Sequence, residues 1–116
     1  MSIVLSSGYS GMVAMREKEI EQSLRKAVLK RGGLCLKFIS PGWSGAPDRL
    51  VLLPEGRLGF VEVKAPGKKP RPLQAARMRI LRWLGFYAAA LDDMNRIEEM
   101  LNDIGRSGNA WKREAP

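Results

Sequence analysis

A short turn between two β-forming segments constrains this chain more than any other feature of its sequence. Residues 49–53 and 58–63 are rich in branched apolar side chains, and Pro54–Gly56 lies between them. Proline presets the first position of a three-residue hairpin loop, and glycine readily adopts the left-handed conformation at the third. The sequence therefore predicts an antiparallel hairpin in which Leu53 lies opposite Arg57 and paired residue numbers sum to 110.

This register brings two acidic residues together. Counting outward from the turn, Asp48 lies opposite Glu62, and Lys64 shares the face of Glu62 because side chains alternate along a strand. Opposed residues have Cβ atoms about 5 Å apart, so two carboxylates there repel each other unless a cation or a shared proton lies between them. A hard divalent cation such as Mg²⁺ or Mn²⁺ resolves that repulsion, and the pair is a candidate metal site.

Each of these residues also has an ordinary explanation. An aspartate before a strand is commonly a surface or turn residue, and a Glu-x-Lys pattern is commonly a solvated strand face or a cross-strand ion pair. However, Glu62 and Lys64 lie at the end of the apolar run 59–63, where both strand faces look buried. Burying an unpaired charge costs several kcal/mol, so the register favours the metal site.

The composition narrows the available chemistry. The 116 residues include no histidine and one cysteine, Cys35, which excludes histidine-dependent nucleophilic catalysis, disulfides within the chain and Cys/His zinc sites. We expect Cys35 to be a small core residue. The 20 Lys+Arg and 12 Asp+Glu residues give a net charge of +8, which favours polyanionic partners. A membrane surface fits poorly because the basic residues do not gather on one amphipathic helix.

Hydrophobic periodicity predicts one α/β domain of mixed α+β type, with elements in the order αβββαβα and a small mixed sheet flanked by helices. The expected helices cover residues 17–31 and 73–84, and a third begins after Asp92 or Asp93 and ends at Gly105. The expected strands cover residues 34–39, 49–53, 58–63 and 86–91. We assign residues 1–15 to an N-terminal extension, 16–105 to the domain and 106–116 to a flexible tail. No secretory or membrane-spanning segment is evident, which predicts a soluble intracellular protein.

The motifs Pro47-Asp48 and Glu62-Val63-Lys64 resemble those of the PD-(D/E)XK nuclease superfamily. More narrowly, residues 17–90 resemble a stand-alone VRR-NUC domain of phage or bacterial type, the virus-type replication-repair nuclease module. The likeness includes Gly45-Ala46-Pro47-Asp48, the strand 59–66 and Leu73-Gln74. It implies a restriction-endonuclease-like αβββαβ core with an extra C-terminal helix.

The resemblance assigns roles to the acidic pair and its neighbours. Asp48, Glu62 and the main-chain carbonyl of Val63 would hold the catalytic Mg²⁺ or Mn²⁺. Lys64 would position the attacking water and stabilise charge in the transition state.

Two further roles follow from the family. Glu17 on the first helix would complete the metal site directly or through water, with Glu21, one turn away, as the alternative. Gln74 would order the site or contact backbone phosphate. Without the family, Glu17 could simply favour the helix N-terminus, and Gln74 could be an ordinary residue of the second helix.

Basic residues border the predicted site. Lys68, Lys69 and Arg71 follow the Glu-x-Lys strand, and Arg77 lies on the next helix, where all four could neutralise phosphates. A solvated loop is the ordinary alternative. Trp43 could stack on a splayed base or anchor its own loop. Trp83 is expected in the core or in an interface.

These features and the resemblance predict a metal-dependent DNA endonuclease that recognises DNA shape rather than sequence. The family suggests branched substrates such as flaps or Holliday junctions, a role in replication, repair or recombination, and a homodimer in the cytoplasm of a bacterial or phage-infected cell. The alternative is a basic, non-catalytic nucleic-acid-binding module that keeps the nuclease fold.

Overall fold

A computed structural model describes the backbone of residues 2–114 and the side chains of residues 16–106. Within those residues the elements follow the expected order αβββαβα, and the mixed α+β class is confirmed. The helices are α1 (Ser2–Lys30), α2 (Pro72–Trp83) and α3 (Ile97–Glu114), and the strands are β1 (Leu34–Lys37), β2 (Arg49–Leu53), β3 (Arg57–Val63) and β4 (Tyr87–Leu91). Short 3₁₀ turns cover Pro54–Gly56 and Met94–Arg96.

The strands form one mixed sheet in the order β1-β2-β3-β4, antiparallel except for the parallel pair β3–β4. Leu53 pairs with Arg57, which confirms the predicted hairpin register. The turn itself uses two left-handed residues, Glu55 (φ 69°) and Gly56 (φ 75°), where the sequence suggested only the glycine.

The two faces of the sheet are packed differently. Alternate residues of β2 and β3, including Val51 and Val61, face α1 and α3 and form the main core, against which Cys35 is partly buried as expected. On the opposite face, Met78 and Leu81 of α2 pack against β4 and its neighbours in a smaller cluster. Helix α2 lies mainly over β4, so among the residues whose side chains the structure describes no helix packs on the same face of β1 and β2.

Three predicted boundaries are wrong. Helix α1 begins at Ser2 rather than at residue 17, and β1 ends at Lys37 rather than at residue 39. Helix α3 continues past Gly105 to Glu114, so the glycine is a buried residue within the helix and not its end. The third helical segment begins after Asp93 as expected, but with a 3₁₀ turn (Met94–Arg96) that precedes α3. The Asp93 side chain caps this turn by accepting a hydrogen bond from the Asn95 N–H at 2.9 Å.

The predicted extension (1–15) and tail (106–116) lie mostly outside the residues whose side chains are described. Within the described part of the chain, no helix combines the length and the apolar character needed to cross a membrane.

Candidate active site

The two predicted acids meet at the carboxyl end of β3. The Asp48 N–H donates to Glu62 Oε1 at 3.2 Å, and the Val63 N–H donates to Asp48 Oδ1 at 3.3 Å. On the other side, the Asp48 carbonyl accepts from the Phe38 N–H at 2.8 Å, so neighbouring strands hold the Asp48 backbone on both sides. The hairpin register therefore does place Asp48 beside Glu62, one pair beyond Arg49 and Val61.

Both acids bind protons more tightly than ordinary carboxyl groups. Glu62 is only 5% exposed. Its burial, followed by the nearby Asp48 charge, raises the pKa of Glu62, although the Lys64 ammonium opposes the increase. Burial also raises the pKa of Asp48, against the opposing effects of the Val63 N–H and of Arg49. The site therefore disfavours two bare negative charges, and a bound cation would relieve this cost.

Lys64 and Gln74 surround the second oxygen of Glu62. Gln74 is buried and donates through Nε2 to Glu62 Oε2 at 3.0 Å. Its Oε1 accepts from the Arg71 N–H at 2.9 Å, which ties Glu62 to the first turn of α2. The Lys64 Nζ lies 3.6 Å from the same Glu62 oxygen, an ion pair too long for a hydrogen bond.

The two candidate glutamates on α1 differ in position. Glu17 is exposed, whereas Glu21 pairs with Arg49, with its Oε1 2.8 Å from Arg49 Nη2, and contributes to the electrostatic environment of Asp48. Sequence reasoning missed Arg49, whose side chain is only 12% exposed. A usable signal existed: an arginine on the helix-covered face of an apolar strand needs an acidic partner.

The predicted DNA-contacting residues divide into two groups. Lys68, Lys69 and Arg71 are exposed on the loop between β3 and α2. Arg77 and Trp43 instead contact each other, with the Arg77 guanidinium carbon 4.9 Å from the centre of the indole ring. Trp83 is 84% exposed, which rules out a place in the core of this chain.

The donors suit a hard divalent ion. Among residues 16–106 no group of three or more Asp, Glu, Cys or His side chains converges as a metal site, and the candidate carboxylate donors are the neighbouring Asp48 and Glu62. Each carboxylate oxygen has two lone pairs, and the hydrogen bonds described leave acceptor capacity on both groups. Few carboxylates and several waters are the usual environment of Mg²⁺.

A four-stranded mixed sheet in this element order, with a half-buried aspartate beside a buried glutamate and a lysine at one strand end, matches the core expected of a nuclease-type domain of the PD-(D/E)XK class. No protein-family model matches the chain. The protein named "Putative nuclease p44" of Acyrthosiphon pisum secondary endosymbiont phage 1 is 48% identical over 84 residues, which are 72% of this chain and 90% of that protein.

A solved structure described as a VRR_NUC domain superimposes with a TM-score of 0.69 at 30% identity, covering 75% of this chain and 95% of the other. The likeness therefore extends over nearly the whole of each related domain. This chain belongs to the VRR-NUC family.

Proposed function

We propose that this chain is a nuclease that hydrolyses phosphodiester bonds of DNA with the help of a divalent metal ion. The observation that carries the proposal is the meeting of half-buried Asp48 with buried Glu62, interlocked by two hydrogen bonds, with Lys64 beside them. The name of the phage relative supports the same activity.

In the proposed mechanism, Asp48, Glu62 and the Val63 carbonyl would hold Mg²⁺ or Mn²⁺. When bound, such an ion neutralises charge on the scissile phosphate and lowers the pKa of a coordinated water. Gln74 keeps Glu62 oriented toward the site through its 3.0 Å hydrogen bond. Lys64 contributes a fixed positive charge where negative charge develops on the phosphate.

Labelled duplex, flap and four-way junction DNA, incubated with the protein in Mg²⁺ or Mn²⁺, test the proposal. We expect cleavage that stops with EDTA and that falls at least about a hundredfold in Asp48→Asn and in Glu62→Ala. Glu99→Gln is the matched control, because it removes one carboxylate charge from an exposed position on α3. Undiminished cleavage in the two site variants would refute the assignment, and binding without cleavage in any metal would favour the non-catalytic module.

The substrate is proposed to be DNA recognised by shape. Lys68 and Lys69 extend the exposed basic loop directly from the strand that carries Glu62 and Lys64, so phosphates near the site meet positive charge. Neutralising one phosphate changes the slope of log K against log salt by about 0.9. The Lys68→Gln/Lys69→Gln variant is therefore expected to bind duplex with a slope reduced by about 1–2, and an unchanged slope would remove the loop from the interface.

A homodimer is proposed from the uncovered face of the sheet. On this face the cross-strand neighbours are leucines, with Leu34 opposite Leu52 and Leu36 opposite Leu50. Charged residues on this face of β2 and β3 occur only at the end that carries the acidic pair.

The flank of α2 extends this apolar face. Leu73 and Arg77 contact the loop before β2, and Ile80 and Leu84 follow them at helical spacing on the same side. The large, partly exposed residues of the face are Leu34, Leu36, Ile80, Leu84 and Phe86. They leave roughly 500 Å² in contact with water, so two copies would bury about 1,000 Å², close to the smallest area of a biological interface.

Light scattering of purified protein tests the dimer. We expect twice the 12.9 kDa chain mass at micromolar concentration, and the monomer mass for Leu36→Glu. Leu29→Glu is the control, because Leu29 is an exposed leucine of α1, away from this face. A monomeric wild-type protein, or two variants with the same mass, would contradict the proposed interface.

A further inference from the structure

The loop that leads into Asp48 is held against α2. The Arg77 Nε–H donates to the Ser44 carbonyl at 2.7 Å, and the Arg77 guanidinium carbon lies 4.9 Å from the centre of the Trp43 ring. Trp43 in turn packs on the smaller core cluster formed with Met78 and Leu81. The arginine therefore joins the loop backbone, the loop tryptophan and the helix at one point.

The approach of loop and helix is close enough to require a glycine. A Cβ on Gly45 would lie 2.7 Å from the Leu73 Cγ, and Gly45 has a left-handed φ of +84°. Pro47, the last residue before Asp48, is fully buried. The position of the loop is therefore passed to Asp48 through a short and tightly packed stretch of chain.

The same helix holds the other acid. Gln74, one turn before Arg77, donates to Glu62 at 3.0 Å. Helix α2 thus contacts the approach to Asp48 through Arg77 and contacts Glu62 through Gln74. A shift of the loop relative to α2 would change the position of one acid while the other stays in place.

We infer that Arg77 is a positioning residue that sets Asp48 against Glu62, and that Trp43 is the surface on which Arg77 rests. This inference rests on the proposed function, because it concerns the geometry of the proposed metal pair. It also assigns to Arg77 and Trp43 a role different from contact with DNA. A guanidinium is suited to this position because it stacks flat on an aromatic ring while its Nε–H donates in the same plane.

Three variants test the inference: Arg77→Leu, Trp43→Leu and the control Arg79→Leu. Arg79 is exposed on the same helix, so its replacement removes the same charge without affecting the loop. Cleavage is measured in Mn²⁺, and the salt dependence of duplex binding is measured in EDTA. The backbone N–H signals of Asp48 and Val63 are followed by NMR in metal-free protein.

We expect Arg77→Leu to lose about 10- to 100-fold in kcat/KM, mainly in kcat, and to need more Mn²⁺ for half-maximal rate. The salt slope should stay within about 0.3 of wild type, since no phosphate contact is lost. The N–H signals of Asp48 and Val63, which report the hydrogen bonds to Glu62 and Asp48, should move. Trp43→Leu should give the same three results with the arginine charge still present, and Arg79→Leu should leave the rate and both N–H signals unchanged.

The opposite result for Arg77→Leu would overturn the inference: a salt slope of duplex binding reduced by about 0.9, with kcat and the two N–H signals unchanged. Arg77 would then be a phosphate contact. If Arg77→Leu does not fold, Trp43→Leu decides: wild-type N–H signals in that variant overturn the inference. Failure of the proposed function is a separate result, because the N–H signals are read without metal. A wild-type protein that cleaves nothing, together with moved signals in both variants, would refute the nuclease and retain the positioning role.

Discussion

Replacing Gln74 with leucine tests how the site holds Glu62. Gln74 is 7% exposed and makes two hydrogen bonds, one to the Glu62 carboxylate at 3.0 Å and one from the Arg71 N–H at 2.9 Å. A hydrogen bond to a charged group contributes about 1.5–3 kcal/mol, and a neutral one contributes about 0.5–1.5 kcal/mol. Leucine has a similar size, so packing changes little. We therefore expect Gln74→Leu to lower the free energy of unfolding by about 2–4 kcal/mol.

Urea unfolding at neutral pH in EDTA measures this loss. With a slope of about 2 kcal/mol per molar, the midpoint should fall by about 1–2 M. The control is Gln22→Leu at an exposed position of α1, which should change the free energy of unfolding by less than about 0.5 kcal/mol. If Gln74→Leu loses less than about 1 kcal/mol, or no more than the control, then Gln74 does not hold Glu62 and the reasoning fails.

A second substitution separates hydrogen bonding from charge. Gln74→Glu keeps an oxygen that can accept from the Arg71 N–H but places a carboxylate against Glu62. Without metal this variant should be less stable than Gln74→Leu, because like charges then meet in a buried site. Mn²⁺ should stabilise both variants, because each keeps Asp48 and Glu62, but it should stabilise Gln74→Glu more, since that variant adds a carboxylate beside the ion. No stabilisation of either variant by Mn²⁺ would contradict a cation site at Glu62.

Three further outcomes follow from the structure. The pKa values of Asp48 and Glu62 are raised, so the folded metal-free protein binds more protons at these acids than the unfolded chain does. Their contribution to stability is therefore present below their ordinary pKa values and is lost as pH rises through the raised ones. Urea unfolding between about pH 4 and pH 7 should show a flatter profile in Glu62→Gln, and an identical profile would refute this assignment. Glu21→Gln leaves the nearly buried Arg49 without its 2.8 Å partner and should lower the free energy of unfolding in urea by about 1–3 kcal/mol. Glu17→Gln should lower it by almost nothing, and a larger loss in Glu17→Gln than in Glu21→Gln would mean that Glu17 is the glutamate that pairs at the sheet. Gly45→Ala places a side chain at a residue with a left-handed φ of +84°, and the added Cβ would lie 2.7 Å from the Leu73 Cγ. We therefore expect a melting temperature several degrees lower, and an unchanged melting temperature would mean that the loop is free to shift.

Local sequence was sufficient for the core of the site. The loop between β2 and β3 has three residues, so its proline and glycine determine which residues of the two strands face each other. That register extends unaltered to Asp48 and Glu62, and the hydrogen bonds between them follow from it. Asp93 was recognisable for the same reason, because its capping bond reaches only two residues along the chain.

Contacts between distant segments could not be predicted from such local rules. Trp43 and Arg77 each admitted two interpretations from sequence, and only the packing of the loop on α2 joined these two distant residues. The choice between Glu17 and Glu21 likewise depended on how α1 crosses the sheet, since both lie on one side of a helix. The crossing brings Glu21 to Arg49 and leaves Glu17 exposed.

By itself, the amino-acid sequence determined the order of the elements, the hairpin register and the meeting of the two acids, because each depends on short-range rules of turns, alternation and periodicity. The tertiary structure alone decided which α1 glutamate reaches the sheet and that Arg77 faces the loop. It also decided that, within residues 16–106, one face of β1 and β2 is left without a helix. These outcomes depend on the angles and offsets at which helices pack on the sheet. Those angles arise from the combined fit of many side chains, which no local pattern encodes.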